Sequence, residues 1–72
     1  MPFPDKLKQL REENNVTQIE LAQAIGVTDR NIRRYEKGIV EPTLSVIVAI
    51  AKYFNTDTNY LLGISDVRER RA

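Results

Sequence analysis

Apolar residues recur at helical spacing along this chain, and turn-forming residues interrupt them at short intervals. The pattern predicts five helices and no strand. The predicted helices cover residues 5–14, 18–25, 28–37, 44–54 and 58–62. We therefore expect an all-α fold with one compact domain over residues 1–64, followed by a charged C-terminal tail over residues 65–72.

The strongest local signals surround the turn between the second and third predicted helices. Thr17 is a favourable N-cap, and Glu20 three residues later completes a capping box. Gly26 offers the left-handed backbone that ends a helix without a Cβ penalty, and Thr28 begins the next helix two residues later. These signals predict two short helices joined by a tight turn.

The third helix separates its residues sharply around its circumference. Ile32 and Tyr35 share one side, which predicts a core face. The opposite arc carries Asp29, Arg30, Arg33, Arg34 and Lys37. Like charges four residues apart destabilise a helix by roughly 0.2–0.5 kcal/mol per pair, which a bound polyanion would offset. A solvated charged face is the alternative, but a short helix just before a tight turn favours presentation of this arc to a DNA major groove.

A set of short motifs extends this pattern over most of the chain. They are Leu10-Arg11, Thr17-Gln18, Leu21-Ala22, Gly26-Val27, Ile32, Tyr35-Glu36-Lys37-Gly38, Glu41-Pro42-Thr43 and Tyr60-Leu61-Leu62-Gly63. Together they resemble the helix-turn-helix domain of the Cro/cI repressor class, also called the XRE family. The resemblance implies a compact five-helix lambda-repressor-like fold, with the helix-turn-helix at helices 2 and 3. It also implies a sequence-specific regulator of transcription that binds double-stranded DNA.

The resemblance implies a role for each matching residue of the two central helices. The base-reading positions are Thr28, Asp29, Arg30 and Arg34, and the phosphate-contacting positions are Gln18, Asn31, Arg33 and Lys37. Arginine donates two hydrogen bonds to guanine, whereas Asp29 could accept one from cytosine or hold Arg33 in place. For Gln18, the alternative is an ordinary polar residue at a helix start, and the resemblance favours the phosphate contact.

An ion pair between the first and third helices is also implied by the resemblance. Glu36 lies beside Ile32 on the helical wheel and should turn inward, where Arg11 is its expected partner. The alternative is that Arg11 contacts only solvent or phosphate.

The fourth helix is apolar nearly all round. Its expected inward residues are Leu44, Ile47, Val48, Ala51 and Phe54. Other apolar residues form an expected dimer surface. Three of them lie on the far side of the fourth helix, namely Val46, Ala49 and Tyr53, and two follow that helix, namely Tyr60 and Ile64. Scattered exposed apolar residues are the plain alternative.

The loop at Ile39 and Val40 lacks the basic residues common in the family, so we expect it to cover the core edge or to meet a partner.

The composition removes several classes of function. The chain has 72 residues, no Cys and no His, so zinc sites and Cys or His catalysis are excluded, and we expect neither an enzyme nor a cofactor. No apolar run is long enough for a membrane span, and the N-terminus lacks the apolar region of a signal peptide. We therefore expect a cytoplasmic protein, bacterial or phage-encoded, that acts at the nucleoid. The net charge of only +1 predicts modest non-specific affinity for DNA.

Two functions from different classes remain after these exclusions. The leading interpretation is a repressor that binds a near-palindromic operator as a homodimer through the helix at residues 28–37. The alternative is a protein-interaction module, such as an antitoxin-like protein, that binds its partner through the helix at residues 44–54 and the loop before it.

Overall fold

Five helices form the described part of the protein, which covers residues 3–63 of a computed structural model. They are α1 (Phe3–Glu13), α2 (Gln18–Ile25), α3 (Asp29–Glu36), α4 (Leu44–Tyr53) and α5 (Thr58–Leu61). No strand occurs among these residues, which confirms the predicted all-α class. Ile64 and the expected tail at 65–72 lie outside the described residues.

The boundaries of α2 match the predicted ones, and those of the other four helices differ by one or two residues. Helix α1 begins at Phe3, two residues before the predicted start, because Pro4 is tolerated in a first turn that needs no N–H donor from it. Helices α3, α4 and α5 each end one residue earlier than predicted. Their predicted last residues act as C-caps instead: Lys37, Phe54 and Leu62.

The turn between α2 and α3 has the capping geometry that the sequence indicates. The Thr17 hydroxyl accepts a hydrogen bond from the Glu20 N–H at 3.0 Å, and the Glu20 carboxylate accepts one from the Thr17 N–H at 3.0 Å. Gly26 adopts a left-handed backbone with φ of 78°, and its N–H donates to Ala22. Both ends of α2 are therefore fixed by local hydrogen bonds, which sets the direction in which α3 leaves the turn.

A single core lies between the helices. Its buried apolar residues are Leu7, Leu10, Leu21, Ala22, Ile32, Tyr35, Ile47, Ile50, Ala51 and Leu61. Lys6 is also buried; its ammonium donates to the Tyr60 carbonyl oxygen at 2.6 Å and lies 4.3 Å from the centre of the Tyr60 ring. This contact joins α1 to α5.

The inward face of α4 differs from the predicted one. Leu44 is 71% exposed, so its assignment to the core was wrong, and Val48 is only half-buried. Ile50 is fully buried instead, together with Ile47 and Ala51. The physical reason is that a helix with apolar residues on nearly every side does not reveal from its own sequence which side meets the core.

We predict that Gly26→Ala destabilises the domain by about 1–2 kcal/mol, because a Cβ is strained in the left-handed region. Apart from Gly26 itself and its two chain neighbours, no atom lies within 4 Å of the position that this Cβ would occupy, so the cost comes from the backbone. Thermal unfolding measures the effect. Gly26→Asn is the matched control and should cost less, since Asn tolerates this conformation. Equal midpoints for all three proteins would contradict the prediction.

Candidate nucleic-acid interface

Helix α3 has one buried face and one basic face. Ile32 and Tyr35 are buried against α1 and α2. On the opposite side lie the residues that we call the basic strip: Arg30, Arg33, Arg34 and Lys37. Arg34 is half-buried, and the other three residues are exposed. The packing of the core face therefore turns a row of cations towards solvent.

The start of α3 is held by its own cap. The Thr28 hydroxyl accepts a hydrogen bond from the Asn31 N–H at 3.1 Å. This bond fixes Thr28 at the N-terminus of α3 and leaves the hydrogen of its hydroxyl group available to another acceptor. The side chain of Asn31 is half-buried beside the strip.

Asp29 and Arg33 form an exposed ion pair one helical turn apart. The Arg33 Nη1 atom donates to Asp29 Oδ2 at 2.7 Å. This hydrogen bond holds the pKa of the Asp29 carboxyl below its usual value. A lowered pKa means that the pair contributes stability above the ordinary Asp pKa and loses it only as the pH falls through the lowered value. Of the two roles predicted for Asp29, the structure shows the one in which it holds Arg33.

Arg30 and Arg34 are the two arginines of the basic strip that have no acidic partner on α3. Neither forms an ion pair with another residue in the range 3–63. They lie four residues apart on one face, Arg30 in the first turn of α3 and Arg34 in its last turn. Each guanidinium therefore keeps its donors available for a bidentate acceptor such as a guanine edge or a phosphate.

The structure brings Arg11 and Glu36 together between α1 and α3. Arg11 Nε donates to Glu36 Oε2 at 2.6 Å, and Arg11 Nη2 donates to Glu36 Oε1 at 3.1 Å. The side chains are only 13% and 5% exposed. The bond to Glu36 raises the pKa of Arg11 above its usual value, so this guanidinium stays charged at every working pH.

Gln18 is the third residue in this arrangement. Its amide nitrogen donates to Glu36 Oε1 at 3.1 Å, which holds the side chain at the start of α2. An amide nitrogen carries two hydrogens, and a second donor therefore remains for an anion above the helix N-terminus. This geometry is compatible with the phosphate contact predicted for Gln18. The hydrogen bond from Gln18 to Glu36 was not predicted.

A polar cleft of about 450 Å³ lies beside this network. It is lined by Lys8, Arg11, Thr17, Gln18, Arg33, Glu36 and Lys37. Lys8 is the member that the sequence reasoning missed. The available signal was its position three residues before Arg11, which places both side chains on one face of α1.

The helix-turn-helix family model matches residues 7–61 of this sequence, which covers the motif and the core around it. The chain belongs to the helix-turn-helix family of the Cro/cI class. This Cro/cI-type domain shares its family with transcriptional regulators rather than enzymes.

Two curated relatives illustrate the similarity of this Cro/cI-type domain. It is 27% identical over 70 residues to the HTH-type transcriptional regulator ImmR of Bacillus subtilis, covering 97% of this chain and 55% of the relative. It is 33% identical over 64 residues to the cryptic phage CTXphi transcriptional repressor RstR of Vibrio cholerae, covering 89% and 58% respectively. The chain thus spans little more than half the length of these relatives.

Solved structures confirm the lambda-repressor-like fold. The crystal structure of the P22 c2 repressor in complex with a synthetic operator superimposes with a TM-score of 0.85. The match covers 90% of this chain and 98% of that chain at 22% sequence identity. At this identity the comparison establishes the shared architecture of the five helices.

Two other kinds of feature are absent from the described residues. Residues 3–63 contain no helix that is long and apolar enough to cross a membrane. The same range contains no group of acidic residues arranged to hold a metal ion.

We predict that Glu36→Gln destabilises the domain by about 3 kcal/mol, because it leaves the Arg11 guanidinium buried without a counter-charge. Gln has nearly the same size as Glu and keeps one acceptor oxygen, so the loss of stability measures the effect of removing the negative charge. Urea unfolding followed by circular dichroism measures the free energy. Asp29→Asn is the matched control: it breaks an exposed ion pair and should change stability little. Equal stabilities of Glu36→Gln and wild type would contradict a structural role for the pair.

Proposed function

We propose that this protein is a sequence-specific double-stranded DNA-binding regulator of transcription that acts as a repressor, and that α3 enters the major groove. The observation that carries the proposal is the basic strip on a helix whose opposite face is locked into the core. The two acidic residues on α3 are both occupied, Asp29 by Arg33 and Glu36 by Arg11. The exposed face of the helix is therefore more positive than the net charge of +1 suggests.

Base recognition is assigned to Thr28, Asp29, Arg30 and Arg34. The N-terminal residues of a recognition helix approach the base edges first. The guanidinium groups of Arg30 and Arg34 form no ion pair within residues 3–63 and match the two acceptors of guanine. Asp29 acts mainly by orienting Arg33. The half-sites of the operator should accordingly contain G·C pairs.

Backbone contacts are assigned to residues at the margins of the recognition helix and at the start of α2. They are Gln18, Asn31, Arg33 and Lys37. Gln18 is already oriented by Glu36, and the N-terminus of α2 favours an anion. Contacts of this kind hold the protein in register on DNA without distinguishing the bases.

A homodimer is the proposed binding unit, because one such domain covers a small DNA footprint. The proposed surface between the two copies comprises Val46, Ala49, Tyr53, Tyr60 and Ile64. Tyr53 is 43% exposed, whereas Val46 and Tyr60 are half-buried against the core. Tyr53 would therefore contribute the largest newly buried area among the described residues of this set. A protein that acts in this way would work in the cytoplasm, at the nucleoid.

A protein-interaction module is the second candidate, and one feature favours it. Ile39, Val40 and Leu44 are exposed apolar residues in and just after the loop that follows α3. Next to them, an apolar groove of about 380 Å³ is lined by residues that include Phe3, Val40 and Leu62. Such a surface suits a protein partner better than a phosphate backbone.

We predict that selection from a random duplex library, at one fixed moderate salt concentration, enriches a two-fold symmetric motif. Its half-sites should contain G·C pairs and lie about one helical turn, roughly 34 Å, apart. Symmetry reports on dimeric binding, and the base preference reports on recognition by α3. A single asymmetric half-site would contradict the dimer alone. The absence of any enrichment would contradict sequence-specific binding and favour the protein-interaction module.

We predict that Arg34→Ala weakens binding to the selected duplex by about 1–3 kcal/mol and relaxes the preference at one base pair, because a bidentate contact is lost. Fluorescence anisotropy on the selected and a scrambled duplex measures both effects. Lys52→Ala is the matched control, since it removes an exposed cation from α4. An equal loss on the two duplexes would make Arg34 a phosphate contact instead.

A further inference from the structure

Lys8 is an exposed cation that the proposed DNA contacts do not include. It lies on α1 between Leu7 and Gln9, one turn before Arg11, and its side chain lines the polar cleft. The buried residues Leu7 and Leu10 fix the rotation of α1 in the core. The position of Lys8 beside α2 and α3 is therefore set by packing and does not depend on a flexible loop.

The charges in the cleft are unevenly paired. Arg11 is occupied by Glu36, and Arg33 is occupied by Asp29. The ammonium groups of Lys8 and Lys37 form no ion pair with any residue in the range 3–63. Two unpaired cations, one on α1 and one at the end of α3, thus share one open cleft, and the only carboxylate in its lining is already satisfied.

The third wall of the cleft is the beginning of α2. The first helical hydrogen bond there is donated by the Leu21 N–H to Thr17, so the N–H groups of Gln18 and Ile19 precede it in the chain. The helix dipole adds a partial positive charge at this end. The Gln18 amide, held by Glu36, has a donor left over. These groups together suit an anion with several acceptor oxygens.

We propose that Lys8 binds a DNA backbone phosphate in this cleft, together with Lys37 and the start of α2. This inference rests on the proposed function and adds α1 to the surface that contacts DNA. A backbone phosphate fits better than a free anion because Arg33 and Lys37 belong both to the cleft and to the basic strip. The sugar-phosphate backbone of a DNA strand whose bases face α3 would therefore run alongside the cleft.

The test is the salt dependence of binding by Lys8→Ala, measured by fluorescence anisotropy on a short random-sequence duplex and on the selected duplex. Each phosphate contact adds about 0.9 to the slope of log affinity against log salt concentration. The slope should fall by about that amount on both duplexes. Equivalently, the affinity lost between about 50 and 200 mM salt should shrink by about 3.5-fold.

Two matched variants separate a phosphate contact from a general loss of charge. Lys8→Arg keeps the cation and should keep the wild-type slope. Lys52→Ala removes a cation from α4, outside the lining of the cleft, and should also keep that slope. Thermal unfolding of all variants checks that they remain folded, and an exposed residue such as Lys8 should be replaced with little change in stability.

The outcomes distinguish this inference from the proposed function. An unchanged slope in Lys8→Ala, with normal DNA binding by the wild type, overturns the role of Lys8 and leaves the proposed function standing. A loss confined to the selected duplex also overturns it, since a phosphate contact does not depend on sequence. Failure of the wild type to bind either duplex overturns the proposed function and this inference with it.

Discussion

The rest of the candidate nucleic-acid interface depends on the hydrogen bonds that the Glu36 carboxylate accepts. It accepts hydrogen bonds from Arg11 of α1 and from Gln18 of α2, and it belongs to α3 itself. A nearly buried charge is tolerated only when its partners hold it in good geometry, so these three helices are fixed relative to one another at one point. The basic strip and the start of α2 consequently face the same side of the molecule. A uniform apolar contact could not specify this arrangement as sharply, because apolar contact has no direction.

Much of the fold could be predicted because its signals are local. The capping box at Thr17 and the left-handed turn at Gly26 depend on neighbours a few residues away, and both are present in the structure. The inward face of α4 could not be predicted in the same way, since Leu44 and Ile50 are equally apolar and only the neighbouring helices decide which one is buried. Most of the candidate site followed from the helical wheel of α3 and the family resemblance. Lys8 was not predicted because the cleft that it lines is completed by residues of α2 and α3, which are distant in sequence.

Local pairing of charges explains how a nearly neutral protein can present a basic surface. The acidic residues of α3 are neutralised within the fold, one by a buried partner and one by an exposed partner. The two arrangements differ in their consequences. The buried pair contributes to the architecture, whereas the exposed pair mainly restrains one arginine at modest energetic gain. Net charge, which counts all groups equally, conceals this difference.

The contact between Lys6 and Tyr60 bears on how the protein is made. None of the five described helices exceeds 11 residues, and helices this short are unstable alone, so each depends on the shared core. Helix α5 supplies the fully buried Leu61, and its carbonyl at Tyr60 binds a lysine 54 residues earlier in the chain. A nascent chain therefore cannot complete this core until Leu61 has left the ribosome. The five described helices should then fold together, as one cooperative step.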